Sequence, residues 1–420
     1  MTALKHQVVT AEKLWTVIKR GGYALLLGEI RSGKSLTAIL TVEKSKRVKN
    51  VLILTKKAAI GGLIKFTEDA ELDLQKNYTV TNYEAVGRIV DRTHSKQGKK
   101  LKKPIPEIVF KLNPDDYDVL IFDEIHSLGK IGKPTKKYQI LKAFTGDKPW
   151  IGMTGTFGVE TMNAAYYACS LSTKTPFKQD NFYRFFDEFG VSSTLKLGNR
   201  EVAQYHRYKP TLPAYIETFS VRMTQTDAGI SDRAKSEVKL HYINLTAETR
   251  TLYNKLQTDK VIKVQGKQLI ADSIMKLRMS LYAMEGGTVK IGEEYIILGN
   301  TEKIDYIKNN FNLDEQVGIM CHYIGEQNLL KTAFPNAEIY SSTAHAEGVN
   351  LSHLDHFIIY SEGPSGAKHI QREDRCVNID KKHSTTVHYL LVKHALSEQT
   401  YECTSKKKDF NNKTYKQKEL

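Results

Sequence analysis

The chain has 420 residues, too many for one ordinary core, and with 40% hydrophobic and 26% charged residues its composition is that of a soluble globular protein, so two domains or lobes are expected. No apolar run approaches the ~20 residues that span a bilayer, and the opening "MTALKHQVVTAEKLW" lacks the apolar stretch of a secretion signal; no membrane partner and a cytoplasmic location (host cytoplasm if the protein is viral) are expected. Lys and Arg number 62 against 47 acids, a formal charge of +15, for which a polyanion such as nucleic acid is the leading partner and a generally basic surface the plainer explanation.

In chain order, "YALLLGE" reads as a buried strand and "SLTAILTVEKS" as a helix, with "GEIRSGKS" between them. That stretch fits G-x-x-x-x-G-K-[ST] through Gly28, Gly33, Lys34 and Ser35. The glycines let the loop Gly28, Glu29, Ile30, Arg31, Ser32, Gly33 turn its N–H groups toward phosphate oxygens. Lys34 then reaches the terminal phosphates and the Ser35 hydroxyl binds Mg2+, at a helix N-terminus that favours anions. The expected ligands are ATP and Mg2+.

The stretch "KQGKKLKK" at 96–103 reads as a basic loop, either solvated surface or a phosphate clamp through Lys99, Lys100, Lys102 and Lys103. In "YDVLIFDEIHSL", Val119 to Phe122 form an apolar strand that ends in two acids. Asp123 is placed to hold Mg2+ through water, and Glu124 to orient and deprotonate an attacking water; an ordinary acidic turn is the bland alternative.

Short apolar runs alternate with helical stretches along the whole chain. "VLILT", "VLIFDE" and "WIGMTGT" lie in the first part, and "YIILG", "QVGIMCHY", "AEIYSS", "HFIIYSE" and "VHYLLVK" in the second. This pattern implies an α/β fold of parallel sheets, whose ligands bind beyond the carboxyl ends of the strands, where Gly28 and Asp123 lie. Residues 158–238 are aromatic-rich ("NFYRFFDEF") and read first as helices around an aromatic core, with stacking on exposed bases as the sharper alternative. The end, "CTSKKKDFNNKTYKQKEL", reads as a basic, mobile tail. Cys169, Cys321, Cys376 and Cys403 form no CxxC pair, and His322 and His345 no H-x-x-x-H, so neither a zinc site nor a disulfide framework is expected.

"DEIH" resembles the DEAD/DEAH boxes of superfamily 2 helicases, and further motifs follow in that family's order over most of residues 1 to 400. "LKHQ" is similar to the segment whose glutamine, here Gln7, reads adenine. "VLILTKKA" (Thr55, Lys56) and "VTNYE" (Asn82, Tyr83, Glu84) resemble DNA-contacting motifs. "GMTGTF" resembles the Thr-Gly-Thr motif that couples hydrolysis to motion, here Thr154 and Thr156, with His126 of "DEIH" as a relay. "AHAEGVNL" is similar to G-x-E-G-L-N-L through Glu347, Gly348, Asn350 and Leu351, and "HIQREDR" to Q-x-x-x-R through Gln371 and Arg375. "FSVRMTQTD", "INLTAETRTLYNKL" and "TVHYLLVKHALSEQ" resemble segments of the Swi/Snf-type branch, in a compact, phage-like form. Two positions depart from the pattern: Asn378 stands where a second arginine is usual, and His345 where the fifth motif begins with glycine.

The resemblance implies two RecA-like lobes, at 1–157 and 239–400, with a mainly helical interlobe segment at 158–238 and the tail at 401–420. It implies that Arg375 acts as an arginine finger on ATP with Arg372 assisting, and that lobe closure moves the protein along double-stranded or branched DNA, alongside replication, recombination or repair proteins. Three readings compete: an ATP-dependent helicase or double-strand translocase, an ATP-gated nucleic-acid clamp with weak hydrolysis, and a small-molecule P-loop kinase. The last leaves "TGT", "EGVNL" and "QREDR" unexplained.

Overall fold

A computed structural model of the chain describes residues 3–29, 31–94, 100–155, 162–197, 200–205, 207–229, 236–313, 316–342, 351, 353–366, 369, 385–406 and 410. The chain divides into two compact units, Met1–Gly229 and Ile230–Leu420. Each is α/β, with a parallel sheet flanked by helices.

The first unit is built on six strands: β1 (Tyr23–Gly28), β2 (Asn50–Thr55), β3 (Asn77–Asn82), β4 (Val119–Phe122), β5 (Trp150–Thr154) and β6 (Ser220–Met223). They pair in the order β6-β1-β5-β4-β2-β3, all parallel. The central strands are near-continuous apolar runs because helices cover both faces. On one face Ala24, Leu26, Val51, Ile53 and Ile121 meet Leu14, Ile18, Ile39 and Val42 from helices α1 (Lys5–Gly21) and α2 (Lys34–Glu43). On the other face Leu25, Leu52, Leu54, Leu120 and Phe122 meet the aromatic segment that follows β5.

That segment belongs to the first unit as far as Gly229, and β6 brings it into the sheet beside β1, with Gly28 opposite Met223. In its helix Phe182–Phe189, the phenylalanines at 182, 185, 186 and 189 follow the i, i+3, i+4, i+7 spacing of one face, and all four are buried. Asn181 caps the start by accepting from the Tyr183 and Arg184 N–H groups. The helix stops at Gly190, where a Cβ would lie 2.5 Å from the Phe186 carbonyl oxygen. These four rings form a core and offer no face to a base; only Tyr183 of the group is exposed.

The basic stretch at 96–103 is not a loop throughout. From Lys100 it is a strand, Lys100–Phe110, paired antiparallel with Gly87–His94. Pro104 and Pro106 are accommodated because a two-stranded ribbon has only edge strands, where a missing N–H is tolerated.

The second unit has five parallel strands: β7 (Glu237–Ile243), β8 (Val317–Cys321), β9 (Glu338–Ser341), β10 (His356–Ile359) and β11 (Thr386–Val392), in the order β7-β11-β10-β8-β9. "YIILG" is not among them; it supplies Glu294–Ile297, which pairs antiparallel with Thr288–Ile291. Within this unit Glu285 caps the helix Leu396–Thr404, accepting from the Leu396 N–H at 2.7 Å and the Ser397 N–H at 3.1 Å.

Three imidazoles cross this sheet in a chain. Tyr306 Oη lies 2.8 Å from His241 Nδ1, His241 Nε2 lies 2.8 Å from His388 Nδ1, and His388 Nε2 lies 3.0 Å from His356 Nδ1. Each neutral ring has one N–H, so the chain is satisfied only while the rings are neutral. Burial, then His241, His356 and Lys239, push the His388 pKa down to about 3, while Phe311 packs edge-on against its ring. Above the ordinary histidine range folded and unfolded chains are equally unprotonated here; below it only the unfolded chain takes up the proton. Stability of the second unit is therefore expected to fall as pH drops from about 6.5 toward 3, with a contribution from His388 of at most about 1.4 kcal/mol per pH unit. Chemical denaturation at pH 5 and pH 7.5 checks this: His388→Gln should flatten the difference, and an equal pH dependence in both proteins would contradict it.

Candidate active site

Strand β1 ends at Gly28 and α2 begins at Lys34, so the intervening loop crosses the carboxyl edge of the sheet. Two of its positions require glycine. Gly33 has φ +90°, and a Cβ there would lie 2.1 Å from Gln7 Nε2. At Gly28 a Cβ would lie 2.5 Å from Lys34 Cγ and 2.9 Å from Ser32 Oγ. Inside the loop Ser32 Oγ donates to the Glu29 carbonyl at 2.8 Å, and Lys34 Nζ donates to the same carbonyl at 2.9 Å. The lysine is thus folded over the loop it would serve.

Both flanks of the loop are held. From α1, His6 Nε2 lies 2.9 Å from the Ser32 carbonyl oxygen, Gln7 Nε2 donates to the Gly33 carbonyl at 3.4 Å, and Gln7 Oε1 accepts from the Leu4 N–H at 2.8 Å. From the end of β6, Met223 accepts the Glu29 N–H at 2.9 Å, and Glu29 Oε2 accepts the Gln225 N–H at 2.6 Å.

The acidic turn lies on the same edge. Its lead-in strand, β4, is separated from β1 only by β5, which ends at Thr154. The Asp123 N–H donates to the Leu54 carbonyl at 2.8 Å, and its carboxylate accepts from Thr55 Oγ1 at 2.7 Å. The Tyr83 hydroxyl donates to the Asp123 carbonyl. At Glu124 the backbone turns left-handed, φ 50° and ψ 47°, a conformation that costs a residue with a Cβ about 1–2 kcal/mol. A short 3-10 turn, Ile125–Leu128, then presents His126. Its Nδ1 lies 2.8 Å from Thr154 Oγ1 and 3.2 Å from Glu124 Oε2. Among the described residues that shielded Glu124 oxygen has no hydrogen bond of good geometry.

The two adjacent carboxyls titrate apart. Burial, reinforced by the neighbouring Glu124 charge, pushes Asp123 up to about 6 against the pull of Thr55, Lys34 and Lys56. Burial also pushes Glu124 up, but His126, Lys34 and Lys56 outweigh it and hold Glu124 below the usual carboxylate range. At neutral pH Glu124 is the ionised acceptor, facing two lysines and a histidine.

The structure therefore gathers Gln7, Gly28, Glu29, Arg31, Ser32, Gly33, Lys34, Ser35, Asp123, Glu124, His126 and Thr154 at one edge of one sheet. Arg31 too is left-handed, at φ 63°. Thr55 and Tyr83, expected to touch nucleic acid, are buried instead and brace Asp123. Asn82 accepts from the Glu84 and Ala85 N–H groups, and Glu84 pairs with Lys137 at 2.7 Å. Lys100, Lys102 and Lys103 lie on the hairpin strand, and Leu351 is in the core of the second unit. Ile30, Lys99, Thr156, His345, Glu347, Gly348, Asn350, Gln371, Arg372, Arg375 and Asn378 lie outside the described residues. His6 and the Met223–Gln225 segment were missed, because nothing in their local pattern signals a contact with a distant loop.

Among the described residues no group of three or more His, Cys, Asp or Glu could hold a metal ion by itself, and no helix is long and apolar enough to cross a membrane. Comparison with protein-family models and with curated proteins finds no match for this chain.

The contact between Gly33 and Gln7 is separable from the backbone strain. Gly33→Ala should cost at least about 1–2 kcal/mol for the left-handed φ, plus the clash with the Gln7 amide. Adding Gln7→Ala should recover the clash and leave the backbone cost. Denaturation of both single variants and the double variant measures the two parts; additive effects would contradict the contact.

Proposed function

We propose that the chain is an ATP-dependent motor on nucleic acid, a helicase or double-stranded DNA translocase of the superfamily 2 type, with its two parallel-sheet units as two RecA-like lobes. The observation that carries this reading is the run Glu124–His126–Thr154 beside the phosphate loop. It connects the candidate base to the strand end that bears the Thr-Gly-Thr sequence. A small-molecule kinase has no need of such a link.

The residues present fit ATP with Mg2+. Gly33 takes the left-handed turn that a loop of phosphate-facing N–H groups uses, Lys34 offers a cation for phosphate, and Ser35 and Asp123 offer a hydroxyl and a carboxylate, hard oxygens of the kind that Mg2+ takes. ATP bound with Mg2+ supplies the phosphoanhydride bond to be cleaved and offsets its charge. Glu124, ionised and held toward His126, is placed to orient a water and accept its proton. His126 fixes where that carboxylate sits, and Thr154 fixes His126. The resemblance of "HIQREDR" to the sixth motif implies Arg375 as the finger on the developing charge, with Arg372 assisting and Gln371 in the same motif. The partner class that suits the formal charge of +15 is DNA, held through phosphates with little sequence preference. The reading as an ATP-gated clamp with weak hydrolysis is favoured by one observation, Asn378 in place of the second arginine.

Steady-state ATP hydrolysis with and without duplex DNA tests the motor reading: stimulation is expected, and tight ATP binding without turnover would select the clamp. Glu124→Gln should lower DNA-stimulated turnover by at least about a hundredfold while ATP still binds. Arg375→Ala should lower it by a similar factor, and wild-type turnover in either variant would remove that residue from the chemistry. His126→Ala should lower the DNA-independent rate, because the base loses its positioning partner, and lower the DNA-stimulated rate further; equal loss of both would leave His126 no part in coupling.

A further inference from the structure

A second cavity lies at the other end of the first unit's sheet. Its volume is about 590 Å3, enough for two or three side chains. Its floor is apolar, formed by Ile18 and Trp15 from α1, Val42 from α2 and Ile151 from β5. Its rim is basic, with Lys19, Arg20, Arg47 and Lys174 around the mouth. Among the described residues none of these four is in an ion pair. The one acid at the rim, Asp118, is already engaged: its Oδ2 accepts the Lys49 N–H at 2.8 Å and the Asn50 N–H at 2.9 Å.

The apolar floor narrows the occupant. Both α1 and α2 end here, at Gly21 and Glu43, so the cavity faces the carbonyl ends of two helices. Their last carbonyls are already taken within the chain: Ile18 accepts the Gly22 N–H at 2.8 Å, Gly22 the Trp150 N–H at 3.0 Å and Val42 the Ser45 N–H at 3.0 Å. A phosphate finds no partner on the apolar floor, whereas an apolar side chain does. The exposed cations of the rim suit carboxylates, and the floor suits one large apolar side chain, with Trp15 already under Lys19 Nζ at 5.7 Å from the ring centroid.

We propose that this cavity docks an acidic peptide segment of a partner protein, anchored by one large apolar residue. Carboxylates of the segment meet Arg20, Arg47, Lys19 and Lys174, and its anchor packs on Trp15 and Ile18. Because the cavity sits at the amino ends of the strands and the phosphate loop at their carboxyl ends, the partner and ATP do not compete for space. The site does not depend on the motor reading.

The chain has two tryptophans, Trp15 and Trp150, so 5-fluorotryptophan labelling gives two 19F lines, assigned with Trp15→Phe. The probe is the peptide Asp-Glu-Phe-Glu-Asp at low salt. It should shift the Trp15 line saturably, and the same peptide with serine for phenylalanine should bind more weakly. Arg20→Glu combined with Arg47→Glu should weaken binding at least about tenfold, the equivalent of about 1.4 kcal/mol. Lys174→Glu, on a different element, should weaken it as well. An unchanged Trp150 line in each variant shows that the fold survives. An unmoved Trp15 line, undiminished binding by the charge-reversed variants, or a stronger response to oligothymidylate than to the peptide would each overturn the proposal.

Discussion

The left-handed backbone at Glu124 is the constraint on which the site depends. In a continuing strand Asp123 and Glu124 would simply alternate between faces. The turn instead sends Asp123 to Thr55 and Glu124 to His126, so that two neighbouring carboxyls acquire different partners and different proton affinities. Its cost is offset locally. The Asp123 N–H is taken by Leu54, the Asp123 carbonyl by the Tyr83 hydroxyl, and the Glu124 carbonyl by the Ser127 N–H at 3.0 Å. Three strand ends and one short turn are fixed by this single excursion.

The same economy appears at the loop between β1 and α2. Left-handed Arg31 and Gly33 let the chain double back within a few residues, and contacts from α1 and from the end of β6 prevent the loop from relaxing. Lys34 bridges the two halves electrostatically: its amine is bonded to the Glu29 carbonyl while its charge lowers the proton affinity of both acids. The second unit handles buried charge differently. Glu285 is spent on the N-terminus of one helix, and Lys303 donates to the Tyr360 carbonyl at 2.6 Å, so its buried titratable groups serve packing rather than an open edge.

The sequence made legible those features that depend on local pattern. The loop between β1 and α2 could be read because glycines and a lysine at fixed spacing mark a tight turn after an apolar strand. The strand before Asp123 could be read because Val119 to Phe122 are all buried in a sheet covered on both faces. Long-range pairing was not legible. β7 went unnoticed because it is an edge strand whose residues are mostly exposed, and β6 because its partner β1 lies almost two hundred residues earlier. Thr55 and Tyr83 were assigned to nucleic acid because "VLILTKKA" and "VTNYE" resemble DNA-contacting motifs, and local sequence says nothing of which way either side chain turns. Only the register between β2 and β4, with Leu54 beside Phe122, shows that Asp123 claims them.

The central claim is that this edge of the first unit holds nucleotide phosphate through Lys34 and the loop around it. Equilibrium titration of ATP with Mg2+ into the wild-type chain and into Lys34→Ala, with thermal unfolding confirming that the variant is folded, tests it most directly. The account predicts saturable binding by the wild type that weakens by at least about tenfold in the variant, as expected for the loss of a charge-assisted bond. Equal affinity in the two proteins, or no binding by the wild type, would contradict it.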